Sequence, residues 1–398
     1  GSEMCIRDSS LRVFWYLIVL LEFTRHEEAH MAEDFSISEL IIPGTYIRVR
    51  ADALIGVGGI STGNIGIVGT ASIVPNRTVI LSDYETAKAE FGMYDAFAAA
   101  DNNLVRGIEI LFRNGARTIY ARAIPAADGA NSAAYSAAFN ELLKDDVNIF
   151  VVPELTTANA LTVLTPIVES AEGNGKDVIA VVGSDADEVG SAADAATILG
   201  QKNTVANKRV ILTAPGIISL DAAAVPPVNV DLPGNYGAAA VAGLLSTLTP
   251  QSSPTNKTLA GVTRLAQRFS YGETRNLVNN NVLVLEERQG VRVVRGITTE
   301  GAAFKQITTR RITDFAKAGI RQASNPFIGR LNNQRVRKAL QGAIDGFLTT
   351  MVQDEALIGY TLQVTATRTD EINGRAIVNA IIQPTFSIDY IAVTLVLE

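Results

Sequence analysis

The sequence predicts a mixed fold: an α/β region with a doubly wound, mainly parallel sheet, then a C-terminal α+β domain, with extended β arms at both ends. Between residues 65 and 213, short apolar runs alternate with helical patterns. Runs that are apolar throughout are typical of parallel strands covered by helices on both faces. Beyond about residue 255, two long helical patterns are followed by strand patterns. The segments 31–60 and 387–398 are rich in apolar residues that show no helical period.

The α/β region is assigned to residues 61–254. Five apolar runs predict its strands, at 65–70, 118–124, 147–152, 178–182 and 209–213. The first helix is predicted to start at Ser82, where Glu85 completes a capping box, and to stop at Gly92. Further helical patterns follow at 104–114, 131–143, 157–171, 190–201 and 238–248.

The C-terminal α+β domain is assigned to residues 255–386. A hairpin is predicted from Val282–Glu286 and Val291–Val294, on either side of a Gln-Gly turn. Two helices follow, at 309–322 and 333–352. The chain then closes with strand patterns near 360–367, 375–382 and 387–397.

Residues 1–30 differ from the rest of the chain, because they hold its only Cys, its only Trp and both His. The string Ser2–Ser9 resembles translated sequencing-adapter sequence, and Met31 looks like a natural start. We therefore expect residues 1–30 to be a non-native extension. The alternative is a signal peptide or membrane anchor on Val13–Leu21, but this apolar run is much shorter than the ~20 residues that span a bilayer.

The composition excludes several classes of function. From residue 31 onward there is no His or Cys, so a Ser-His-Asp triad, a Cys-His dyad and a His or Cys zinc site are excluded there. The formal net charge of −7 argues against nucleic-acid binding through a general positive field. We therefore predict no enzyme, and no catalytic, cofactor-binding or metal-binding residues.

A dehydrogenase-like, nucleotide-binding α/β enzyme is the alternative that the sequence leaves open. The glycine-rich segment Thr62–Gly69, followed by Tyr84 and Lys88, is similar to the loop and Tyr-x-x-x-Lys pair of short-chain dehydrogenases. A dinucleotide loop lies between a strand and a helix. Here the later glycines fall inside the predicted strand, which favours a turn followed by a buried strand.

Two clusters of charged residues can be interpreted either as solvated surface or as functional sites. Asp185, Asp187 and Glu188 follow a predicted strand, where they could hold Mg²⁺ or Ca²⁺, but a solvated loop is the simpler interpretation. Basic residues are dense over 310–338, and three of them open a predicted helix. A solvated helix face competes there with a surface for an acidic partner, for which the candidates are Arg335, Arg337 and Lys338.

The two apolar arms are the segments 31–60 and 387–398. Exposed apolar strands recruit other chains, so monomers cover them. Either both arms pair with this subunit's own sheets, or they add strands to neighbouring subunits. The candidate exchange residues are Phe35, Ile37, Leu40, Ile41 and Ile42 in the first arm, and Ile388, Tyr390, Ile391, Val393, Leu395 and Leu397 in the second.

Several short motifs, in order along the chain, resemble those of contractile tail sheath proteins. The Pro-Gly-Thr-Tyr opening stands at 43–46, and a later helix begins with an Arg-Arg pair. The family's Trp-Gly-Ala-Arg-Thr segment is present only as Val294–Thr298, without the Trp. The matching segments are Ile42–Tyr46, Gly66–Ala71 with Pro75, Asp83–Tyr84, Glu90–Gly92, Phe112–Arg117, Tyr120–Arg122, Arg310–Phe315 and Asn325–Gly329.

The resemblance implies a structural subunit that polymerises helically around an inner tube and contracts to drive that tube through a target envelope. Its implied partners are copies of itself through strand exchange, the inner tube protein, and baseplate and terminator proteins. No cofactor, nucleic acid or membrane insertion is implied. The implied location is a virion tail, or a contractile injection system assembled in the bacterial cytoplasm. The resemblance also implies that a basic helix faces an acidic tube, which suits the three candidate cations.

Overall fold

The computed structural model describes residues 60–92, 103–184, 194–221 and 226–396. The strands are β1 (Ile65–Thr70), β2 (Val79–Leu81), β3 (Ile119–Ile124), β4 (Ile149–Val151), β5 (Ile179–Gly183), β6 (Val210–Ala214), β7 (Ile217–Asp221), β8 (Val228–Leu232), β9 (Arg264–Leu265), β10 (Leu283–Glu287), β11 (Val291–Val293), β12 (Leu357–Thr365) and β13 (Ile377–Pro384). The helices are α1 (Tyr84–Phe91), α2 (Asn103–Arg113), α3 (Ser132–Leu142), α4 (Thr157–Gly173), α5 (Ala195–Asn203), α6 (Gly234–Thr247), α7 (Tyr271–Asn279), α8 (Ile307–Ser324), α9 (Gln334–Gln353) and α10 (Arg368–Ile372).

The largest sheet has eight strands in the order β11-β10-β6-β5-β4-β1-β3-β2. The inner strands are parallel, and only the pairs at the two edges, β2–β3 and β10–β11, are antiparallel. The mainly parallel sheet and its five predicted strands are therefore confirmed. Those strands are buried along most of their length because helices pack on both faces of the sheet.

Each face of the large sheet has its own apolar core. On one face, α2 contributes Leu104 and Leu111, and α6 contributes Leu245, among others. On the other face, α3 and α4 contribute Phe139 and Leu164 among others. The sheet is thus the middle layer of a three-layer body.

The ends of α1 show one correct and one wrong prediction. Gly92 ends the helix with φ of 89°, as expected of a glycine stop. The predicted N-cap, Ser82, is wrong, because Asp83 holds that position and accepts a hydrogen bond from the Thr86 backbone N–H. Aspartate caps helices as well as serine does, so the pattern alone did not separate these adjacent residues.

The predicted hairpin is present as β10 and β11, but its place in the fold was not expected. Leu283 and Val284 of β10 pair in parallel with Thr213 and Ala214 of β6. The hairpin lies within the range assigned to the C-terminal domain, 255–386, and yet it extends the large sheet. The division of the chain at residue 254 stays a prediction.

The C-terminal part builds a third core from α8, α9 and the β12–β13 sheet. Ile312 on α8 and Ile344, Leu348 and Met351 on α9 are almost fully buried there. The two predicted helices and the first two predicted strands are confirmed. The third predicted strand, 387–397, is wrong over residues 387–396, which have no regular secondary structure.

A small sheet of β8, β7 and β9 was not predicted from the sequence. Its strands are short, and prolines precede two of them, so no clear alternation marked them. Among the described residues, no helix is both long and apolar enough to cross a membrane.

Candidate assembly surfaces

The C-terminal arm leaves its apolar side chains uncovered in the isolated chain. Ile391 is 82% exposed, Val393 74% and Leu395 85%, and Val396 is equally open. Ile388 and Tyr390 are also largely exposed. Burying such side chains is worth roughly 1.5–3 kcal/mol each, so a run of them in water is a costly arrangement. The arm therefore presents an uncovered apolar segment, whereas Leu397 lies outside the described residues.

The β12–β13 sheet is only half covered. Tyr360, Leu362 and Ile382 turn one face of it toward α8 and α9. The opposite face carries Ile358 and Ile381, which are 67% and 70% exposed. A two-stranded sheet is marginally stable by itself. Both of its edges are open to further strands within the described part of the chain.

The three cationic candidates at the start of α9 differ in their surroundings. Arg335 and Lys338 are exposed and form no ion pair within the described ranges. Arg337 is largely buried, and its Nη1 donates to Glu371 Oε1 at 3.0 Å and to Asn332 Oδ1 at 2.9 Å. Arg335 and Lys338 are therefore available to a partner, whereas Arg337 joins α9 to α10.

The basic residues at the start of α8 are internal, not part of an exposed patch. Arg310 and Arg311 are 2% and 5% exposed. Arg311 donates to the backbone carbonyls of Leu248 at 2.8 Å, Thr62 at 3.2 Å and Thr249 at 3.3 Å. Burial lowers the pKa of Arg311 to about 10. Arg311 thus ties α8 to the end of α6 and to the segment before β1.

An ionic cluster centred on Arg209 joins α8 to the large sheet. Arg209 is fully buried at the start of β6, and its guanidinium contacts Glu172, Asp177 and Asp314 at 2.8 to 3.0 Å. Arg310 adds a second bidentate contact to Asp314. Buried charges are tolerated when each is paired and hydrogen-bonded in this way.

The cluster also shifts the pKa values of two of its carboxylates downward. A hydrogen bond from Arg209 lowers the pKa of Glu172 far below its ordinary range. Burial raises the pKa of Asp177, but hydrogen bonds from Lys317 and Arg321 outweigh burial and lower it. A cavity of about 280 Å³ beside the cluster is lined by acidic and basic side chains together.

The glycine-rich segment serves packing. Gly66 and Gly69 lie inside β1, as expected. A Cβ at Gly66 would lie 2.7 Å from the Phe150 ring, and one at Gly69 would lie 2.6 Å from Glu154 Oε1. Lys88 Nζ stands 5.1 Å from the centre of the Tyr84 ring on the same short helix, α1. Glycine is needed at both positions because neighbouring side chains occupy the space that a Cβ would fill.

Protein groups also fill the carboxyl ends of the central strands, where α/β folds usually bind ligands. A Cβ at Gly183 would overlap the backbone of Gly234, at the start of α6. Asn235 Oδ1 accepts a hydrogen bond from the Gly183 N–H at 2.7 Å. Glu154, which follows β4, lies at the carboxyl ends of β1 and β4 and accepts a hydrogen bond from Thr70, the last residue of β1.

Glu154 is a half-buried residue whose carboxyl group accepts two hydrogen bonds. It accepts from the Thr70 backbone N–H at 2.6 Å and from the Tyr135 hydroxyl at 2.8 Å. Burial raises the pKa of Glu154 despite these hydrogen bonds. Its role in the described structure is to close the gap between β1 and β4.

Several predicted residues lie outside the described ranges. They include the acidic trio Asp185, Asp187 and Glu188, the extension 1–30, and the N-terminal arm residues Phe35, Ile37, Leu40, Ile41 and Ile42. Within the ranges that are described, no three His, Cys, Asp or Glu residues are grouped so that they could hold a metal ion.

The fold and its uncovered surfaces define a mixed α/β protein with the features of an assembly subunit. The chain belongs to the phage tail sheath family. Residues 128–299 match the phage tail sheath protein central domain, and residues 299–398 match the phage tail sheath C-terminal domain. The resemblance to tail sheath proteins noted in the sequence is thereby confirmed.

Solved structures share this fold at low sequence identity. A chain of the anti-feeding prophage helical sheath in its contracted state is 17% identical, with a TM-score of 0.70 over 91% of this chain and 99% of that one. A chain of the six-fold symmetrised anti-feeding prophage baseplate is 18% identical, with a TM-score of 0.70 over 90% of this chain and 99% of that one. The sheath tail protein of Desulfitobacterium hafniense is 14% identical, with a TM-score of 0.61 over 86% of this chain and 100% of that one. No curated protein matches the chain by sequence.

Proposed function

We propose that this chain is the repeating subunit of a contractile sheath, which polymerises helically around an inner tube and shortens to drive the tube through a target envelope. Membership of the tail sheath family supports the proposal. The observation that carries it is the uncovered C-terminal arm, in which every residue from Ile391 to Val396 is exposed. Exposed apolar side chains are unfavourable in water, and a neighbouring subunit that covers the arm would bury them.

The arm's partner in this proposal is the β12–β13 sheet of a neighbour. Added strands would satisfy the free backbone groups at the sheet edges and would cover part of the apolar surface around Ile358 and Ile381. Each subunit both offers an arm and receives one, so the contact is head-to-tail. Head-to-tail contacts that do not close on themselves build helical filaments. The N-terminal arm, residues 31–60, is assigned the same role.

Contraction in this proposal moves whole subunits. Helix α8 is joined to the large sheet through the Arg209 cluster and to the segment before β1 through Arg311. The subunit body is therefore expected to rotate as a unit, while the arms keep neighbours linked. We also infer that the terminal arms correspond to the predicted ranges 31–60 and 387–398, and that the doubly wound body comprises the predicted range 61–254 together with the hairpin β10–β11.

The proposed tube contact is the start of α9. Arg335 and Lys338 are exposed on a protein whose formal net charge is −7, so they form a local positive site. An acidic tube surface would complement that site. Baseplate and terminator proteins are the proposed partners at the two ends of the sheath. The assembled machine is a phage tail or an injection system built in a bacterial cytoplasm.

A matched pair of arm variants tests the proposal. In a strand, residues 391, 393 and 395 share one face, and residue 394 points to the other. We expect Val393→Asp to abolish sheath formation, because it places a charge against the neighbour's apolar face. The control, Thr394→Asp, adds the same charge to the opposite face and should still form tubes in negative-stain electron microscopy. Normal tubes from Val393→Asp would contradict strand exchange through this arm.

A further inference from the structure

A buried carboxylate stands at the root of the exposed C-terminal arm. Asp389 has a side chain only 6% exposed, although its neighbours Ile388 and Tyr390 are 79% and 74% exposed. A simple tail would show the reverse pattern, with the acidic group in water and the apolar groups tucked away. The body of the subunit therefore holds this one residue of the arm.

Three side chains of the body converge on Asp389. Arg295 Nε donates to Oδ2 at 2.8 Å, Gln306 Nε2 donates to the same oxygen at 3.0 Å, and Thr255 Oγ1 lies 3.5 Å from Oδ1. The Arg295 guanidinium also stacks over the Tyr390 ring, 5.1 Å from its centre. Charge-assisted hydrogen bonds of this type are the stronger ones in proteins.

The Gln306 side chain makes a second set of contacts, to the residue two positions before Asp389. Its Nε2 donates to the Ser387 carbonyl at 3.3 Å, and its Oε1 accepts from the Ser387 N–H at 3.2 Å. Gln306 occupies the N-cap position of α8, but its side chain makes no capping hydrogen bond. The Gln306 side chain binds Ser387 and Asp389 of the arm instead. Residues 387–390 are thus clasped by the body, and the open segment begins at Ile391.

We propose that Asp389 is a positioning residue, which fixes the root of the C-terminal arm so that the exchanged segment leaves the body at a set point and carries load between subunits. This rests on the proposed strand exchange. The six residues Ile391–Val396 reach about 20 Å when extended. For these six residues to pair with it, the receiving sheet of the neighbour must lie within that distance of Tyr390, and any hinge must lie beyond the clasp.

Chymotrypsin cleavage of the full chain tests the clasp directly. Cleavage after Tyr390 requires residues 387–390 to leave the body, whereas cleavage after Leu395 does not. We expect Asp389→Asn to speed cleavage after Tyr390 about tenfold, because it loses charge-assisted hydrogen bonds, while cleavage after Leu395 stays unchanged. Gln306→Ala should act in the same way. Asp354→Asn, at an exposed aspartate of the same region, should match the wild type. Unchanged cleavage after Tyr390 in both root variants would overturn the proposal.

Electron microscopy of the same proteins tests the positioning role. We expect Asp389→Asn and Gln306→Ala to remain folded and to form fewer and less regular tubes than the wild type. Tubes of normal yield and order from variants with a loosened root would overturn the role. If the wild-type chain itself formed no tubes, the proposed function would fail. The clasp would then be tested only by the rate of cleavage after Tyr390 relative to cleavage after Leu395.

Discussion

Arg209 and Asp314 form a bidentate pair across the boundary between the large sheet and α8. The two Nη atoms of Arg209 each donate to a different carboxylate oxygen of Asp314, at 3.0 Å. The residues are 105 positions apart in the sequence, and Arg209 is fully buried. The planar guanidinium matches the carboxylate in this geometry, which lysine could not reproduce. The pair therefore fixes the orientation of α8 relative to β6.

Removing this arginine should be costly. Arg209→Ala would leave Asp314, Asp177 and Glu172 without their shared cation, and breaking a buried pair typically costs about 3–5 kcal/mol. We expect a loss of that size in the free energy of unfolding, measured by urea denaturation. Arg77→Ala is the control, because its ion pair with Glu90 is exposed and should be worth less than about 1 kcal/mol. Equal losses in the two variants would contradict the role of the cluster.

The crossing of α8 and α9 depends on a glycine. A Cβ at Gly319 on α8 would overlap the ring of Phe347 on α9. We expect Gly319→Ala to destabilise the protein by about 1–3 kcal/mol, because the ring cannot move within a packed core. Gly346→Ala, on the exposed face of α9 with nothing within 4 Å, should instead stabilise it by about 0.5–1 kcal/mol. Thermal unfolding of both variants checks the opposite signs, and a stabilising Gly319→Ala would contradict the packing.

Glu154 should make stability fall as pH rises. Its pKa is raised in the folded chain by burial, so its contribution is fully present below the ordinary carboxyl range and is lost as pH rises through the raised value. Gln at this position stays neutral and keeps an acceptor for the Thr70 N–H. We therefore expect Glu154→Gln to gain stability relative to the wild type as pH rises above the ordinary carboxyl range, in urea denaturation at each pH. Glu355→Gln, at an exposed turn, should show no such gain; a flat difference for Glu154→Gln would refute the burial effect.

Charge reversal at the start of α9 should separate tube binding from self-assembly. We expect Arg335→Glu with Lys338→Glu to weaken co-sedimentation of the sheath with its tube, while polymers of the sheath alone persist. The reason is that both cations are exposed and have no internal ion pair among the described residues. The control is Arg264→Glu with Arg275→Glu, which makes the same change of charge on other exposed elements. If the α9 variant co-sedimented with the tube as well as the wild type does, the assignment of the tube contact to this helix would be wrong.

The sequence predicted the body of the protein well because burial leaves a local signal. Strands such as β5 and β6 are buried along their whole length, and helix ends such as Gly92 require a particular backbone geometry. The parallel order was predictable for the same reason, since such strands are typical of sheets covered on both faces. The place of β10 was not, because a hairpin with alternating residues does not reveal which sheet it joins.

The assembly surfaces were only partly predictable. The apolar arm was visible as composition, but the sequence left open whether the subunit's own sheet covers it. The buried cations were missed: Arg310 and Arg311 looked like part of a basic surface. The backbone carbonyls that bind Arg311 are far away in the sequence, and backbone groups leave no sequence signal. Asp389 was overlooked because a single acidic residue within an apolar run shows no pattern that marks it as buried.

Helical reconstruction by cryo-electron microscopy of the purified chain, assembled into tubes, would show directly whether subunits exchange their C-terminal arms. The measurement is the path of the main chain from Tyr390 through Val396. We predict that this segment leaves its own body at the Asp389 clasp and pairs as an added strand with the β12–β13 sheet of an adjacent subunit. Density in which the segment folds back onto its own subunit, or a protein that stays monomeric, would rule out strand exchange through this arm.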